Sequence, residues 1–308
     1  MIVCCGEALI DMLPRQLPEG EAVFLPVSGG AVFNTAIALG RLGVETGFFS
    51  GLSTDMFGCQ LEKSLSASQV DLSFCSRSTR PTTLAFVELV ADNARYTFYD
   101  EGSAGRMLFA DDLPVFSDVV EALHFGAISL IPEPCGASFE ALCAREAPLR
   151  VISLDPNIRP NFISDATAHR GRIERMIGFS DIVKVSDEDL AWIVPEKSCA
   201  DAIGHWLGLG VPIVVVTKGR DGASAYTKRG RVDMVASPAH VVDTVGAGDS
   251  FDAGFLAGLK RQNLLTKKAL AKIDEAGLEE ALKLAVAVAG VTVSRAGANP
   301  PWATELEI

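Results

Sequence analysis

The residues with the clearest chemical potential lie in one stretch, Asp243-Thr244-Val245-Gly246-Ala247-Gly248-Asp249, which leads into a helical pattern. Phe251, Phe255 and Leu259 recur every four positions, which is helical spacing. The small residues ahead of them leave backbone N–H groups without intrahelical partners, and the helix dipole adds partial positive charge there. The stretch is therefore a candidate phosphate site, with Asp249 at its mouth as a candidate general base.

Local structure alone offers a second explanation of this stretch. An Asp at a helix start is commonly a cap, and a glycine-rich turn is commonly only a turn. Gly254 and Gly258 lie inside the predicted helix, where each costs roughly 1 kcal/mol relative to alanine. Such a cost indicates that another backbone comes close, either that of a packed helix or that of a ligand site. From the residues alone, both explanations stay open.

A second motif lies near the N-terminus and reads Gly29-Gly30-Ala31-Val32-Phe33-Asn34-Thr35-Ala36, followed by Leu42-Gly43. Together with Asp243–Asp249, about 200 residues later, it resembles the two signatures of the ribokinase (PfkB) family of carbohydrate kinases. The resemblance runs through nearly the whole chain. It implies that Asp249 is the catalytic base of a phosphoryl transfer and that Gly246, Ala247 and Gly248 bind the phosphates.

The composition disfavours several other classes of protein. A chain of 308 residues with 48% hydrophobic content can bury a large core. A net charge of −12 argues against nucleic acid or an anionic membrane surface as partner. The longest apolar segment, 284–293, is too short to span a bilayer. Seven cysteines without C-x-x-C spacing argue against a disulfide framework and a zinc site. No basic region precedes the first apolar run, so a signal peptide is not expected and we predict a cytoplasmic protein.

Short apolar runs and helical patterns alternate along the chain, which indicates βαβ units. We therefore expect an α/β fold with a doubly wound and mostly parallel sheet flanked by helices. The resemblance implies that this fold is of the ribokinase type. The predicted strands are 2–5, 151–154, 182–185 and 213–217. The predicted helices are 34–42, 55–67, 136–147, 168–178, 187–193 and 200–209.

Three β-type runs, 21–27, 82–90 and 94–99, do not fit this alternation. The last two are separated by Ala91-Asp92-Asn93, which is typical of a hairpin. We predict that the three runs form a small antiparallel sheet, as the lid of the ribokinase family does. The expected organisation is a single domain, 1–308, with a discontinuous lid made of the segments of about 12–30 and 72–105.

The candidate sugar-binding residues come from separate segments of the chain. Asp11 follows the first predicted strand, and ligands of open α/β sheets bind beyond the carboxyl ends of strands. The resemblance adds Gly29, Gly30 and Asn34, together with Phe98 of the lid. Local alternatives exist for two of these: Asp11 could belong to a turn, and Asn34 could cap the helix that follows.

The segment Asp155-Pro156-Asn157-Ile158-Arg159-Pro160 resembles the D-P-N-x-R segment of fructokinases and 2-keto-3-deoxygluconate kinases. The resemblance implies that Arg159 contacts the sugar or the transferred phosphoryl group; the alternative is a surface arginine in a turn. In the ketodeoxygluconate kinases an arginine stands at the place of Asp100 and pairs with the substrate carboxylate. An acid there would repel that carboxylate, which favours a neutral sugar.

The resemblance also implies a nucleotide side of the site. The chain has no G-x-x-x-x-G-K-[ST] loop, so the turn at 246–248 would hold the ATP phosphates. Further ATP-binding candidates are Ser186, Thr217, Gly219 and Gly222, although 217–222 could also be a simple β-turn.

Two aspartates are candidate metal ligands. Asp189 stands where the family has a glutamate that organises Mg²⁺, in the pattern S-x-x-D rather than N-x-x-E, and it could equally complete a helix start. Asp243 is a candidate ligand of a monovalent cation such as K⁺.

The predicted activity is the ATP- and Mg²⁺-dependent phosphorylation of a primary hydroxyl of a neutral sugar, with fructose to fructose 6-phosphate as first choice. Ribokinase, 2-keto-3-deoxygluconate kinase and nucleoside kinase activities are alternatives within the family. A non-catalytic sugar- or nucleotide-binding protein on the same fold is the alternative from another class. The expected partners are the sugar and ATP, with a homodimer as candidate assembly.

Overall fold

The computed structural model describes residues 1–90, 93–237 and 239–306, which form fifteen strands and nine α-helices. The strands are β1 (Ile2–Cys5), β2 (Leu9–Gln16), β3 (Ala22–Gly29), β4 (Thr46–Phe49), β5 (Gly51–Ser53), β6 (Val70–Asp71), β7 (Ser76–Ser78), β8 (Leu84–Val90), β9 (Asn93–Tyr99), β10 (Ala122–Gly126), β11 (Val151–Asp155), β12 (Ile182–Ser186), β13 (Ile213–Thr217), β14 (Ala223–Thr227) and β15 (Gly230–Met234). The helices are α1 (Ala31–Arg41), α2 (Met56–Ala67), α3 (Cys135–Glu146), α4 (Ala166–Phe179), α5 (Asp187–Ile193), α6 (Cys199–Leu209), α7 (Ala247–Arg261), α8 (Lys267–Leu270) and α9 (Glu275–Val293).

The larger sheet has nine strands in the order β15-β14-β13-β12-β11-β10-β1-β4-β6. The strands from β13 to β6 pair in parallel, and β14 and β15 add an antiparallel edge. Alternate residues of β1 belong to two apolar clusters, one that includes α1, α7 and α9 and one that includes α3, α4 and α6. Helices therefore cover both faces, which explains why the central strands are apolar throughout. The predicted doubly wound α/β fold is confirmed.

A separate four-stranded sheet has the order β3-β2-β8-β9. Strands β8 and β9 pair antiparallel, as do β2 and β3, whereas β2 and β8 pair in parallel. The small sheet predicted from three runs is thus present with a fourth strand, β2, that the sequence interpretation missed. The sheet is mixed rather than purely antiparallel, because β2 pairs in parallel with β8. The predicted turn at Ala91 and Asp92 lies outside the described residues.

Strand β2 corrects the expected position of Asp11. This residue does not follow a core strand but lies within β2, opposite Val27 of β3. The strand was hard to recognise because it contains Pro14, which argues against a strand, and because its burial falls off along its length. The large sheet and the small sheet are therefore joined almost directly, by the residues between β1 and β2.

The two glycines inside α7 are explained by helix packing. A Cβ atom at Gly254 would lie 2.7 Å from Ala285 Cα, and one at Gly258 would lie 2.8 Å from Ala281 Cα. Both alanines belong to α9, so the missing side chains let the two helix backbones approach each other. This close contact fixes α7, and with it the turn at its N-terminus, against the core.

Several elements were not predicted from the sequence. The sequence interpretation also missed helix α8 and the strands β4, β5, β6, β7, β10, β14 and β15. The apolar segment 284–293 proved to be the second half of α9. In the part of the chain that the structure describes, no helix combines the length and the apolar character needed to cross a membrane.

Candidate active site

The carboxyl ends of β1, β11, β12 and β13 meet the N-termini of α1 and α7 around a cleft of about 660 Å³. This convergence is expected, because parallel strands present their carboxyl ends at one edge of the sheet. The cleft brings together most of the predicted site residues: Asp11, Gly30, Asn34, Phe98, Arg159, Ser186, Asp189, Thr217, Gly219, Gly246, Ala247, Gly248 and Asp249. Gly29, Gly222 and Asp243 do not line it.

The turn before α7 depends on one glycine. Gly246 is the N-cap of α7 and has a φ of 76°, in the left-handed region. A Cβ atom there would lie 2.6 Å from the Cβ of Ala298. In the first turn of α7 the Ala247 N–H donates to the Thr244 carbonyl at 3.3 Å, whereas the N–H groups of Gly248 and Asp249 lack intrahelical partners and border the cleft. The turn therefore has the geometry of an anion site.

Asp249 lies in the first turn of α7 and is buried, with 6% of its surface exposed. The Asn34 side-chain amide donates a hydrogen bond to Asp249 Oδ2 at 2.8 Å, and Asn157 Nδ2 lies 3.5 Å from Asp249 Oδ1. Burial raises the pKa of Asp249 to about 6, although the bond from Asn34 and the charge of Lys184 oppose the rise. The result is an oriented carboxylate that can accept a proton near neutral pH.

The structure changes the interpretation of two asparagines. Asn34 does not cap α1, whose N-cap is Gly30; it lies in the first turn of that helix and holds Asp249. Asn157 was not among the predicted site residues, although it stands in the quoted D-P-N segment. Its φ of 41° is left-handed, which asparagine tolerates, and its backbone N–H donates to Asp155 Oδ1 in an Asx turn made by the Asp155 side chain. The signal was therefore present in the sequence.

At the other end of the cleft lie two carboxylates. Burial raises the pKa of Asp11 to about 6. A Cβ atom at Gly29 would lie 2.2 Å from Asp11 Oδ2, so Gly29 leaves the space that this carboxylate occupies. Glu7, which the sequence interpretation missed, accepts hydrogen bonds from the backbone N–H groups of Ala31 at 2.7 Å and Ser129 at 3.3 Å. Burial raises the pKa of Glu7 to about 7, against the effect of these bonds.

Two aromatic side chains connect the small sheet to the large one. Phe98 of β9 packs edge-to-face on Phe162, with ring centroids 4.4 Å apart. Phe162 follows β11 and also lines the cleft, but it was not predicted. Arg159 lines the same wall, where its guanidinium donates to the Ile158 carbonyl at 3.0 Å. The small sheet therefore reaches the edge of the cleft.

A second cavity of about 500 Å³ adjoins the cleft. Both cavities are lined by Thr217, Gly219, Ala247 and Gly248, and Gly222 lines only the second. The remaining lining is mostly small or apolar, including Phe251, Val286 and Val293. An apolar cavity next to an anion-binding turn is suited to a flat aromatic ring that carries a phosphate chain.

The two candidate metal ligands already have structural partners. Asp189 and Ser186 form a reciprocal capping box at the start of α5, and Asp189 Oδ1 also accepts from the Ile158 N–H at 2.8 Å. Asp243 accepts from the N–H groups of Val245 at 3.0 Å and Gly297 at 2.9 Å. Among residues 1–90, 93–237 and 239–306, no group of three or more His, Cys, Asp or Glu side chains could hold a metal ion. These residues fit an ion held chiefly by phosphate and water oxygens, which Mg²⁺ accepts.

One buried cation in the cleft was also missed. Lys184 of β12 lines the cleft, and its Nζ lies 2.7 Å from Asp155 Oδ2 and 3.3 Å from Asp252 Oδ2. The sequence offered a signal, a lysine near the end of a strand that is otherwise apolar.

Comparison with known proteins agrees with this geometry. The chain matches the pfkB family carbohydrate kinases over residues 1–305. A fructokinase of Rhizobium leguminosarum bv. trifolii is 59% identical over 278 residues, which are 90% of this chain and 85% of that protein.

Two crystal structures have the same fold. Fructokinase from Xylella fastidiosa with bound ATP superimposes with a TM-score of 0.88 at 28% identity, over 96% of this chain and 93% of that one. Fructokinase from Vibrio cholerae O395, in a form with fructose, ADP and calcium ion bound, gives a TM-score of 0.83 at 28% identity, over 96% and 94%. Since the match covers both sheets and the cleft between them, the chain belongs to the pfkB family of carbohydrate kinases.

Proposed function

We propose that this protein is an ATP-dependent fructokinase that converts fructose to fructose 6-phosphate. The observation that carries the proposal is the position of Asp249, held by Asn34 between a polar cleft and the turn at Gly246. The 59% identity to the Rhizobium fructokinase supports fructose as the acceptor.

The small sheet bears on the choice of sugar. Asp100 follows β9 and forms an ion pair with Arg106 at 3.1 Å. The position therefore carries a paired acid, not an unpaired cation that could bind a substrate carboxylate. A substrate carboxylate would have to compete with Asp100 for the Arg106 guanidinium. The acid at Asp100 therefore supports a neutral sugar over ketodeoxygluconate.

In the proposed reaction, the primary hydroxyl oxygen of the sugar attacks the γ-phosphorus of ATP, the bond to the bridging oxygen breaks and ADP leaves. Asp249 accepts the hydroxyl proton, and Asn34 keeps the carboxylate oriented toward the sugar. The N–H groups of the turn at 246–248 stabilise the charge on the transferred group. Bound Mg²⁺ neutralises part of the ATP charge, and Asp189 is the candidate that would orient its water shell.

The remaining assignments extend this proposal. We assign sugar contacts to Asp11, Gly30, Phe98 and Arg159, and nucleotide contacts to Ser186, Thr217, Gly219, Gly222 and the turn. The segments of about 12–30 and 72–105 act as a lid on a single domain, since Phe98 already reaches Phe162. A K⁺ site at Asp243, a homodimer and a cytoplasmic location stay predictions.

A coupled assay of ADP release tests the proposed function. We expect saturable turnover with fructose, and a kcat/KM for fructose well above those for ribose, 2-keto-3-deoxygluconate and adenosine. A higher value for one of the other three would assign the enzyme to that substrate instead. No turnover with any acceptor would favour a non-catalytic binding protein.

The pH profile tests the environment of Asp249. Because burial raises its pKa to about 6, the base is protonated at lower pH, and kcat/KM should rise between pH 5 and pH 7. Asn34→Leu removes a donor that stabilises the ionised form, so the acidic limb should move upward by about one pH unit. Asn157→Gly keeps the left-handed φ and removes the 3.5 Å contact, and it should move the limb less. An unchanged limb in the Asn34 variant would mean that Asp249 is not the titrating group.

A further inference from the structure

A buried triad of charged residues lies under the turn at Gly246–Gly248. Lys184 of β12 is 5% exposed, and it contacts Asp155 at the end of β11 and Asp252 in α7. Both aspartates are also buried. Burying three ionisable groups is costly unless their charges are matched.

The charges of the triad can balance. The pKa of Asp252 lies well above its ordinary value because burial and the nearby Asp155 outweigh the attraction of Lys184. For Asp155, burial acts in the same direction but the attraction of Lys184 outweighs it, and the pKa lies below its usual range. A proton shared within the triad therefore favours Asp252 over Asp155. With that proton in place the triad would contain one ammonium and one carboxylate, without excess negative charge.

The position of the ammonium relative to the turn is the second observation. A Cβ atom at Gly248 would lie 3.1 Å from Lys184 Nζ, so the absence of a side chain at Gly248 brings the turn close to the ammonium. Lys184 also lines the cleft next to Gly248 and Asp249. In the described part of the chain, its contacts to Asp155 and Asp252 use at most two of its three N–H donors.

We propose that Lys184 is a further catalytic residue, whose ammonium contacts the phosphoryl group as it passes from ATP to the sugar, while Asp155 and Asp252 hold the ammonium under the turn. The inference rests on the proposed kinase function. Negative charge spreads over the oxygens of the transferred group, and a fixed cation in a site shielded from water stabilises it more than a mobile one. The competing explanation is that the triad only joins β11, β12 and α7.

The test compares Lys184→Met with the double variant Lys184→Met/Asp155→Asn. The single variant leaves a buried carboxylate unpaired and is expected to unfold at lower temperature. The double variant removes both charges and keeps the shape, so it should fold. Lys267→Met is the matched control, because Lys267 pairs with Asp181 just before β12, at the end of that strand away from the cleft.

We expect kcat of the double variant to fall by about 100-fold or more, measured on the alkaline plateau of its pH profile, because loss of one charge-stabilising donor commonly costs that much. On this plateau Asp249 is fully ionised, so a shift in its pKa does not change the measured kcat. Calorimetry supplies the second readout. The Kd of ADP should stay within about threefold of the wild-type value, whereas the affinity for ADP with aluminium fluoride, Mg²⁺ and fructose should fall by about tenfold or more.

A double variant with wild-type kcat and wild-type affinity for the aluminium fluoride complex would overturn the proposal and leave Lys184 a structural residue. A loss shared by Lys267→Met would also overturn it, since that pair lies outside the cleft. Failure of this inference and failure of the proposed function are distinguishable. If only this inference fails, the wild-type protein still turns over a sugar in the ADP-release assay. If the proposed function fails, the wild-type protein is inactive with every acceptor in that assay.

Discussion

Replacing Asp249 by asparagine is expected to lower kcat by a factor of about 10² or more while leaving fructose binding nearly unchanged. The asparagine side chain has the same shape, and its amide oxygen can still accept the bond that Asn34 donates at 2.8 Å to Asp249. It cannot take the hydroxyl proton. The loss should therefore appear in kcat, measured by ADP release, and not in the Kd of fructose, measured by calorimetry.

Asp118→Asn is the matched control, because Asp118 is exposed and lies outside both cavities. It should retain wild-type kcat and KM. Full kcat in the Asp249 variant would remove this residue from the mechanism. A loss of fructose binding as large as the loss of kcat would instead show that Asp249 acts mainly as a sugar-binding group.

Gly246→Ala should have the second largest effect, a fall of about tenfold or more in kcat/KM for ATP. The residue has a φ of 76°, where an L-residue pays about 1 kcal/mol, and the new Cβ atom would lie 2.6 Å from Ala298 Cβ. One of the two backbones must move. Because the turn carries the N–H groups that we propose to face the phosphates, a displacement of about 1 Å can cost up to 100-fold in rate.

Gly43→Ala separates backbone strain from displacement of the turn. Gly43 has a φ of 77°, but a Cβ atom there would meet nothing within 4 Å. Both variants should lose stability in thermal unfolding, and only Gly246→Ala should lose kcat/KM for ATP. Equal kinetic losses in the two variants would mean that the contact with Ala298 does not position the turn.

The structure shows which features the sequence could reveal. Hydrophobic residues recur with a characteristic period along a strand or a helix, and this pattern is visible in the sequence. Strands β1 and β13 and helix α5 were therefore predicted with the bounds that the structure has. Helix starts also carry local signals, and the capping box of Ser186 and Asp189 was recognised as one of two explanations. Strand β2 was missed because Pro14 and its partial burial blur the alternation on which such a prediction depends.

By itself the sequence determined the α/β class, the small sheet and the turn that ends at Asp249, since hydrophobic periodicity and glycine-rich helix starts are local properties. Only the tertiary structure decided that Asn34 holds Asp249 from 215 positions away, and that α9 accounts for Gly254 and Gly258. The same holds for Lys184, which meets Asp155 and Asp252 only when β11, β12 and α7 pack together. Such contacts depend on strand order, which no local pattern of residues records.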